Sequence, residues 1–156
     1  VLRRELGYVT YHPQSDAPRK INAYLPHTTE SVTGRPTQVS LRPMRDAQSI
    51  AAMVKGELNP VGRIQAFTNR QPVWNAAADA FFLDFGPRAT EASAKNFMLF
   101  EEENRQPFER TAAKFSGNSL LFGKIGPDTF NMDVAFPFSL FQAFAACISS
   151  CVAKID

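Results

Sequence analysis

The sequence contains few of the side chains that usually carry catalysis. His12 and His27 are its only histidines, and each stands beside a proline in a segment that favours a turn. Asp84, Asp128 and Asp133 fall in predicted strands or turns and have no evident partner. No Ser-His-Asp order, HExxH, CxxC or glycine-rich phosphate loop is present. The sequence therefore predicts no enzymatic activity, no metal site and no cofactor.

The side chains that could bind a ligand are basic and lie near the start of the chain. Residues 1–45 contain seven Lys and Arg residues but only three acidic ones. A guanidinium keeps its charge and offers paired donors to phosphate oxygens. The formal net charge of the whole chain is only +2, which by itself is too small to indicate nucleic-acid binding. A basic anion-binding patch and an ordinary solvated surface both fit this pattern.

Length and composition indicate a single folding unit. A chain of 156 residues forms one domain or part of one. Hydrophobic residues make up 44% of it, and most of the 14 phenylalanines lie in the second half, where we expect the core. No signal peptide or membrane span is visible. Because the chain begins at Val1 rather than Met, we expect that an upstream part was removed or lies outside this sequence.

The last part of the chain predicts a buried helix over Phe138–Lys154. Its apolar residues cover nearly the whole helical circumference, and only Gln142 and three serines interrupt them. A helix that is apolar on all sides is normally buried, and this one is shorter than the roughly 20 residues that cross a bilayer. We therefore expect protein to enclose it. Cys147 and Cys151, one turn apart, are interpreted as small core residues in a reducing compartment.

The remaining segments are predicted to be mainly strands. Alternating apolar residues predict strands at 5–12, 20–25, 38–42, 62–68, 80–85, 95–100, 120–125 and 129–136. Polar loops are expected at 27–36 and 101–118, and a short helix with Asp46 as its N-cap is expected at 46–58. An antiparallel sheet curved around the final helix satisfies both patterns. The predicted fold class is therefore mainly β with one buried helix.

Several motifs, in matching order along the whole chain, resemble those of tubby-like proteins. The segment Leu83–Phe97 (LDFGPRATEASAKNF) matches one signature, and Phe122–Ser150, with its FGKI, DTFNMD and LFQAFA stretches, matches another. Shorter matches are Arg4–Leu6, Pro18–Lys20, Ser40–Pro43 and Pro72–Asn75. The resemblance implies a closed antiparallel β-barrel wrapped around a central hydrophobic C-terminal helix.

The resemblance also implies that residues 1–156 are the C-terminal portion of a single tubby domain. The first strands of the family barrel have no counterpart before Val1, and Cys151–Asp156 departs from the usual ending of the family. Without those strands the barrel has open edges and the helix is incompletely covered. We therefore expect the isolated chain to self-associate, or to need the missing half from another chain.

Tubby-like proteins bind phosphatidylinositol 4,5-bisphosphate through a basic pocket on the barrel surface. The match of Leu2–Leu6 to the family's L-R-x-E-L motif implies that Arg3 is one ligand-binding residue. Two further basic residues, a Lys-x-Arg pair, belong to the part upstream. Arg4, Arg19 and Lys20 are candidate accessory residues that would widen a positive face towards an anionic leaflet.

The resemblance implies a phosphoinositide-binding adaptor in the cytoplasm, peripheral at the plasma membrane or cilium. Its roles would be in signalling or in trafficking of membrane proteins with protein partners, and it would relocate to the nucleus on lipid hydrolysis. One alternative is a DNA-binding transcription regulator, which the modest charge and the lack of a recognition-helix motif disfavour. Another is a protein-interaction module that does not bind lipid.

Overall fold

The computed structural model describes residues 3–56, 63–102 and 117–152. Ten strands and two helices are described in these ranges. In chain order they are β1 (Tyr8–His12), β2 (Lys20–Pro26), β3 (Thr28–Glu30), β4 (Pro36–Gln38), α1 (Ile50–Val54), β5 (Ile64–Asn69), β6 (Val73–Asn75), β7 (Ala80–Phe82), β8 (Phe97–Glu101), β9 (Leu120–Gly126), β10 (Thr129–Val134) and α2 (Leu140–Val152). Single 3-10 turns lie at Asp46–Gln48 and Gly86–Arg88.

Six of the strands form one antiparallel sheet in the order β1-β2-β5-β8-β9-β10. Alternation places one face of each strand inward, as in β2, where Ile21, Ala23 and Leu25 are at most 3% exposed. The hairpins β3–β4 and β6–β7 form two further two-stranded sheets. The mainly β architecture with one long C-terminal helix is confirmed.

The helix α2 begins with a capping box at Ser139 and Gln142. The Ser139 hydroxyl accepts a hydrogen bond from the Gln142 backbone N–H at 3.2 Å, and the Ser139 N–H donates to the Gln142 side chain at 2.9 Å. One side of the helix, formed by Gln142, Ala143, Ala146, Cys147 and Ser150, is buried. It packs on a core to which four strands of the sheet, β2, β5, β8 and β9, contribute buried apolar side chains, and β1 and β10 contribute partly buried ones. A single stripe of the helix therefore anchors it to the sheet.

The other side of α2 is exposed, contrary to the sequence-based expectation. Leu140, Phe141, Phe144, Ile148 and Val152 are between 45% and 75% exposed. The described strands form an open sheet with β1 and β10 at its edges, and an open sheet can cover only one side of a helix. Complete enclosure of the helix is therefore wrong for the residues that the structure describes, and the closed barrel stays a prediction.

Some predicted boundaries also change. The expected loop 27–36 contains β3 and the start of β4. The expected strand 38–42 overlaps β4 only at Gln38 and otherwise contains an isolated bridge at Leu41. Ser49 rather than Asp46 caps α1, because its hydroxyl accepts the Ala52 N–H at 3.1 Å. The β9–β10 hairpin is confirmed, although it ends at Val134. Parts of the expected segments at 46–58, 62–68, 101–118 and 138–154 lie outside the described residues.

Two of the sequence motifs contact each other directly. Arg88, in the turn before β8, donates two hydrogen bonds of 2.7 Å to the two carboxylate oxygens of Asp133 on β10. Asn131 donates to the Arg88 carbonyl at 3.1 Å, and the Thr90 N–H donates to the Lys124 carbonyl at 2.9 Å. The expectation that Asp133 lacks a partner is wrong, because its partner lies 45 residues away in the sequence.

Gly123 makes this contact between motifs sterically feasible. A Cβ atom at Gly123 would lie 2.5 Å from the Arg88 carbonyl oxygen and 2.8 Å from the Ala89 Cβ. Both neighbours belong to a segment that hydrogen bonds hold against the hairpin, so neither can move away easily. The glycine is therefore required by close approach of two backbones.

We predict that Gly123→Ala lowers the free energy of unfolding by about 2 kcal/mol, because overpacking against backbone forces the turn away from the hairpin. Urea denaturation of the variant and the parent chain measures this difference. Gly126→Ala is the matched control, since a Cβ there would meet only the Thr129 Cβ at 3.9 Å. Equal midpoints for the two variants would contradict the role assigned to Gly123.

Candidate functional site

A single β-bridge fixes the segment that carries Arg3 and Arg4. The Glu5 N–H donates to the Leu41 carbonyl at 2.9 Å, and Leu41 itself is buried with 5% exposure. Arg3 and Arg4, immediately before the bridge, are exposed. The two guanidinium-bearing residues thus project from a backbone segment that is tied to the core only one or two residues away.

The carboxylate of Glu5 is engaged by α1. Its Oε2 accepts a hydrogen bond from the backbone N–H of Ile50, the first residue of the helix, at 2.6 Å. This N–H is one that a helix leaves without an intrahelical partner, and the negative charge suits the positive end of the helix. Glu5 is thereby directed towards α1, and among the described residues no salt bridge links it to the neighbouring arginines.

The bridge also brings Arg42 next to the same segment. In antiparallel pairing the residues that flank a bridged pair face each other, so Arg42, after Leu41, lies across from Arg4. Arg3, Arg4 and Arg42 are all exposed, and none has an ionic or hydrogen-bonding side-chain partner within the described ranges. We call these three residues the arginine cluster. Arg42 is absent from the sequence-predicted site, although the Ser40–Pro43 motif contains it.

The structure separates the other two predicted basic residues from this cluster. Lys20 opens β2 and is paired with His12, the last residue of β1, whereas Arg3 and Arg4 precede the first residue, Tyr8. The length of β1 alone is about 13 Å, given a rise of about 3.3 Å per residue. The four predicted residues therefore do not surround one ligand-binding point.

Arg19 is turned inward rather than towards solvent. Its Nη2 donates to the carbonyl of Ser150 at 3.1 Å and to that of Ala94 at 3.4 Å, and its guanidinium lies 4.7 Å from the centre of the Tyr11 ring. Its Nε and Nη1 are buried without a hydrogen-bond partner. The Ser150 carbonyl is near the negative C-terminal end of α2, so the charge stabilises that end. The expectation that Arg19 faces outward, towards a membrane, is therefore wrong, because its guanidinium binds backbone carbonyls of the protein.

A buried polar contact links the arginine-bearing segment to α2. Gln142 is 6% exposed, and its Nε2 donates to the carbonyl of Leu6 at 2.6 Å. Its amide also pairs with the amide of Gln38, each donating to the other at 2.8 and 3.3 Å. The sequence showed Gln142 only as an interruption in an apolar helix. In the structure it positions the residues on either side of the bridge.

Two other polar residues considered for chemistry, His12 and Asp84, have structural partners. The His12 Nε2 lies 3.0 Å from the Thr10 hydroxyl, and the Asp84 Oδ1 accepts the Gly86 N–H at 2.8 Å. Burial raises the pKa of Cys147 to about 12, so its thiol stays protonated at neutral pH. Burial likewise raises the pKa of Tyr11. Within the described ranges no group of three or more His, Cys, Asp or Glu residues could hold a metal ion.

A cleft of about 1130 Å³ opens elsewhere on the molecule, and its lining includes Arg19, Arg70, Phe81, Phe82 and Asn96. The members of the arginine cluster do not line it. The candidate site is therefore an exposed basic surface rather than a cavity. Neither of the two described helices has the length and apolarity needed to span a bilayer.

Comparison with known proteins identifies the family. The model of the Tub family matches residues 1–152, which is nearly the whole chain. The chain belongs to the Tub family. The segments that carry the sequence resemblance, including Leu83–Phe97 and Phe122–Ser150, lie inside this match.

Relatives of this Tub-family chain occur in animals and plants. It is 31% identical over 152 residues to Tubby-related protein 2 of Homo sapiens, covering 96% of the chain and 26% of the relative. It is 27% identical over 158 aligned residues to Tubby protein homolog 1 of Caenorhabditis elegans, covering 99% and 34%. Tubby-like F-box protein 11 of Oryza sativa subsp. japonica is 41% identical over 87 residues, covering 56% and 21%. The chain thus spans about a third or less of these relatives.

For this Tub-family chain we predict that Gln142→Leu lowers the free energy of unfolding by about 2–4 kcal/mol. The substitution keeps the side-chain size but leaves the Leu6 carbonyl, the Ser139 N–H and the Gln38 amide without their buried partner. Urea denaturation measures the change. Gln14→Leu, at an exposed position, is the control and should change stability by less than about 0.5 kcal/mol. A Gln142→Leu variant as stable as the parent would refute the linking role.

Proposed function

We propose that this chain is the C-terminal portion of a tubby domain and that the domain binds phosphatidylinositol 4,5-bisphosphate at the cytoplasmic leaflet. The observation that carries the proposal is the arginine cluster, in which three exposed guanidiniums lack side-chain partners in the described part of the chain. Arg3 is the proposed ligand-binding residue. Arg4 and Arg42 are proposed to supply additional positive charge at the same point.

The chemistry of the cluster suits a phosphorylated headgroup. A guanidinium donates paired, charge-assisted hydrogen bonds to phosphate oxygens, and such bonds are about twice as strong as neutral ones. The anchoring of the segment through Glu5 and Leu6 reduces the conformational entropy that binding would cost. Each basic group near an anionic leaflet adds about 1 kcal/mol of attraction. Lys20 is proposed to act in this second, less specific way.

The described residues favour lipid over duplex DNA as the ligand. The cluster lies on extended segments, whereas direct base readout commonly inserts a helix into the major groove. The helix α1 has five residues and α2 has thirteen, and neither sequence contains a Lys or Arg residue. A helix that could combine groove insertion with basic side chains is therefore absent from the described ranges.

The proposed cellular role follows from reversible lipid binding. A protein held by a phosphoinositide stays peripheral at the plasma membrane or cilium and is released when the lipid is hydrolysed, after which it can enter the nucleus. We propose that, while bound at the membrane, it acts as an adaptor in signalling or in trafficking of membrane proteins. Because the chain spans only 26–34% of the first two relatives, this role concerns the whole protein.

We predict that Arg3→Ala weakens binding of the full-length protein to vesicles containing phosphatidylinositol 4,5-bisphosphate by about 10-fold. The expected loss corresponds to one charge-assisted contact of about 1.5–3 kcal/mol, partly replaced by neighbouring charges. Co-sedimentation with vesicles of phosphatidylcholine with and without the lipid measures the affinity. Binding should also weaken as salt is raised, because the arginines are exposed.

Arg35→Ala is the matched control, since Arg35 is also exposed but lies in the turn between β3 and β4. It should leave the affinity unchanged, whereas Arg42→Ala should lower it. Equal sedimentation with both kinds of vesicle would remove the lipid proposal. Equal effects of Arg3→Ala and Arg35→Ala would remove Arg3 from the site. Tight, steeply salt-dependent binding to duplex DNA without lipid binding would favour the alternative function.

A further inference from the structure

The loop between the bridge at Leu41 and the helix α1 presents an exposed methionine between two arginines. Met44 is 74% exposed, and Arg42 and Arg45 on either side of it are exposed as well. Residues two positions apart are separated by at most about 7 Å along the chain, so Met44 lies close to Arg42 and thus to the arginine cluster. We call residues 42–49 the Met44 loop.

One residue, Glu5, holds both ends of the Met44 loop. Its backbone N–H donates to the carbonyl of Leu41 at 2.9 Å, and its carboxylate accepts the N–H of Ile50 at 2.6 Å. Leu41 and Ile50 are 5% and 1% exposed, so the loop is anchored by a buried residue at each end. Arg3 and Arg4 directly precede Glu5 in the chain. The loop and the arginine cluster are therefore fixed to each other and meet a binding partner together.

Hydrogen bonds that do not involve the Met44 side chain hold the shape of the loop. The Met44 N–H donates to Oε1 of Gln48 at 2.9 Å, and the Gln48 N–H donates to the Arg45 carbonyl at 2.9 Å. The Ser49 N–H donates to the Asp46 carbonyl at 3.0 Å. Such a prearranged loop loses little conformational entropy when it binds. The Met44 side chain can also be substituted without removing any of these hydrogen bonds.

A cationic site that also exposes an apolar side chain suits the surface of an anionic bilayer. Apolar groups become buried at the boundary between headgroups and acyl chains, while basic groups are attracted to the anionic headgroups. Arg45 has no ionic partner in the described part of the chain, and together with Arg42 it outweighs Asp46, the single acidic residue of the loop. A single exposed apolar residue is ordinary on a protein surface, but this one lies within a cationic site.

We propose that the Met44 loop inserts into the bilayer, with the Met44 side chain at the level of the first acyl carbons, while the arginine cluster contacts the phosphorylated headgroup. This inference rests on the proposed lipid binding and adds an apolar contact to it. The methionine side chain is unbranched and flexible, so it adapts to an irregular environment. The two contacts differ in what they need, because the arginines require the phosphorylated headgroup and Met44 requires a bilayer.

Binding of the full-length protein to vesicles and to the free headgroup separates the two contacts. Met44→Ala should weaken co-sedimentation with phosphatidylcholine vesicles that contain phosphatidylinositol 4,5-bisphosphate by about 5-fold, because less apolar surface is buried. This loss should persist as salt is raised, since salt does not screen an apolar contact. Met44→Glu should weaken binding by at least about 20-fold, and Met44→Leu should change it by less than about 2-fold.

Calorimetry with inositol 1,4,5-trisphosphate supplies the measurement without a bilayer. Met44→Ala and Met44→Leu should bind this free headgroup as the parent protein does, whereas Arg3→Ala should weaken its binding by about 10-fold. Val73→Ala is the matched control on vesicles, because Val73 on β6 is 72% exposed but lies outside the loop. It should leave the vesicle affinity unchanged.

The possible outcomes distinguish failure of the insertion from failure of the proposed function. Equal vesicle affinity of Met44→Ala and the parent protein would overturn the insertion and leave lipid binding through the arginines in place. Equal losses of Met44→Ala on vesicles and on the free headgroup would also overturn it, as would equal losses of Met44→Ala and Val73→Ala on vesicles. A parent protein that binds neither the vesicles nor the free headgroup would overturn the proposed function and the insertion together.

Discussion

The packing of α2 against one face of the six-stranded sheet is the contact on which the rest of the structure depends. Its inward stripe contains Ala143, Ala146 and Cys147, whose small side chains let the helix approach the sheet closely. Opposite them, Phe67, Leu99, Leu120 and other buried residues complete the core. Burial of apolar surface is the dominant favourable term in folding, and the helix contributes Ala143, Ala146 and Cys147 to the buried core. The open sheet leaves the other stripe without cover.

Polar contacts at both ends of the helix then position the start of the chain. Near its beginning, Gln142 binds the Leu6 carbonyl, and near its end the Ser150 carbonyl binds Arg19. These contacts connect residues that are 136 and 131 positions apart in the sequence. Because the unpaired alternative is costly for buried polar groups, such contacts fix geometry more strictly than apolar packing does. The orientation of the arginine-bearing segment is therefore coupled to the helix.

The motifs that identify the family have mainly structural roles in the described residues. Arg88 and Asp133 join two of the motifs, Gly123 permits their close approach, and Gln142 links the helix to the first residues. Family membership consequently explains the fold directly. It bears on ligand binding only through Arg3 and its neighbours, where exposure and charge support a proposal.

The sequence by itself determined the elements whose signals are local. Alternation placed β2 and the β9–β10 hairpin, and the apolar run placed α2, because strand and helix periods depend only on neighbouring residues. Tertiary structure alone decided which stripe of α2 faces solvent, that Arg19 points inward and that Arg42 lies beside Arg4. These features depend on pairings between distant segments, and periodicity contains no information about which distant segment a given side chain will meet.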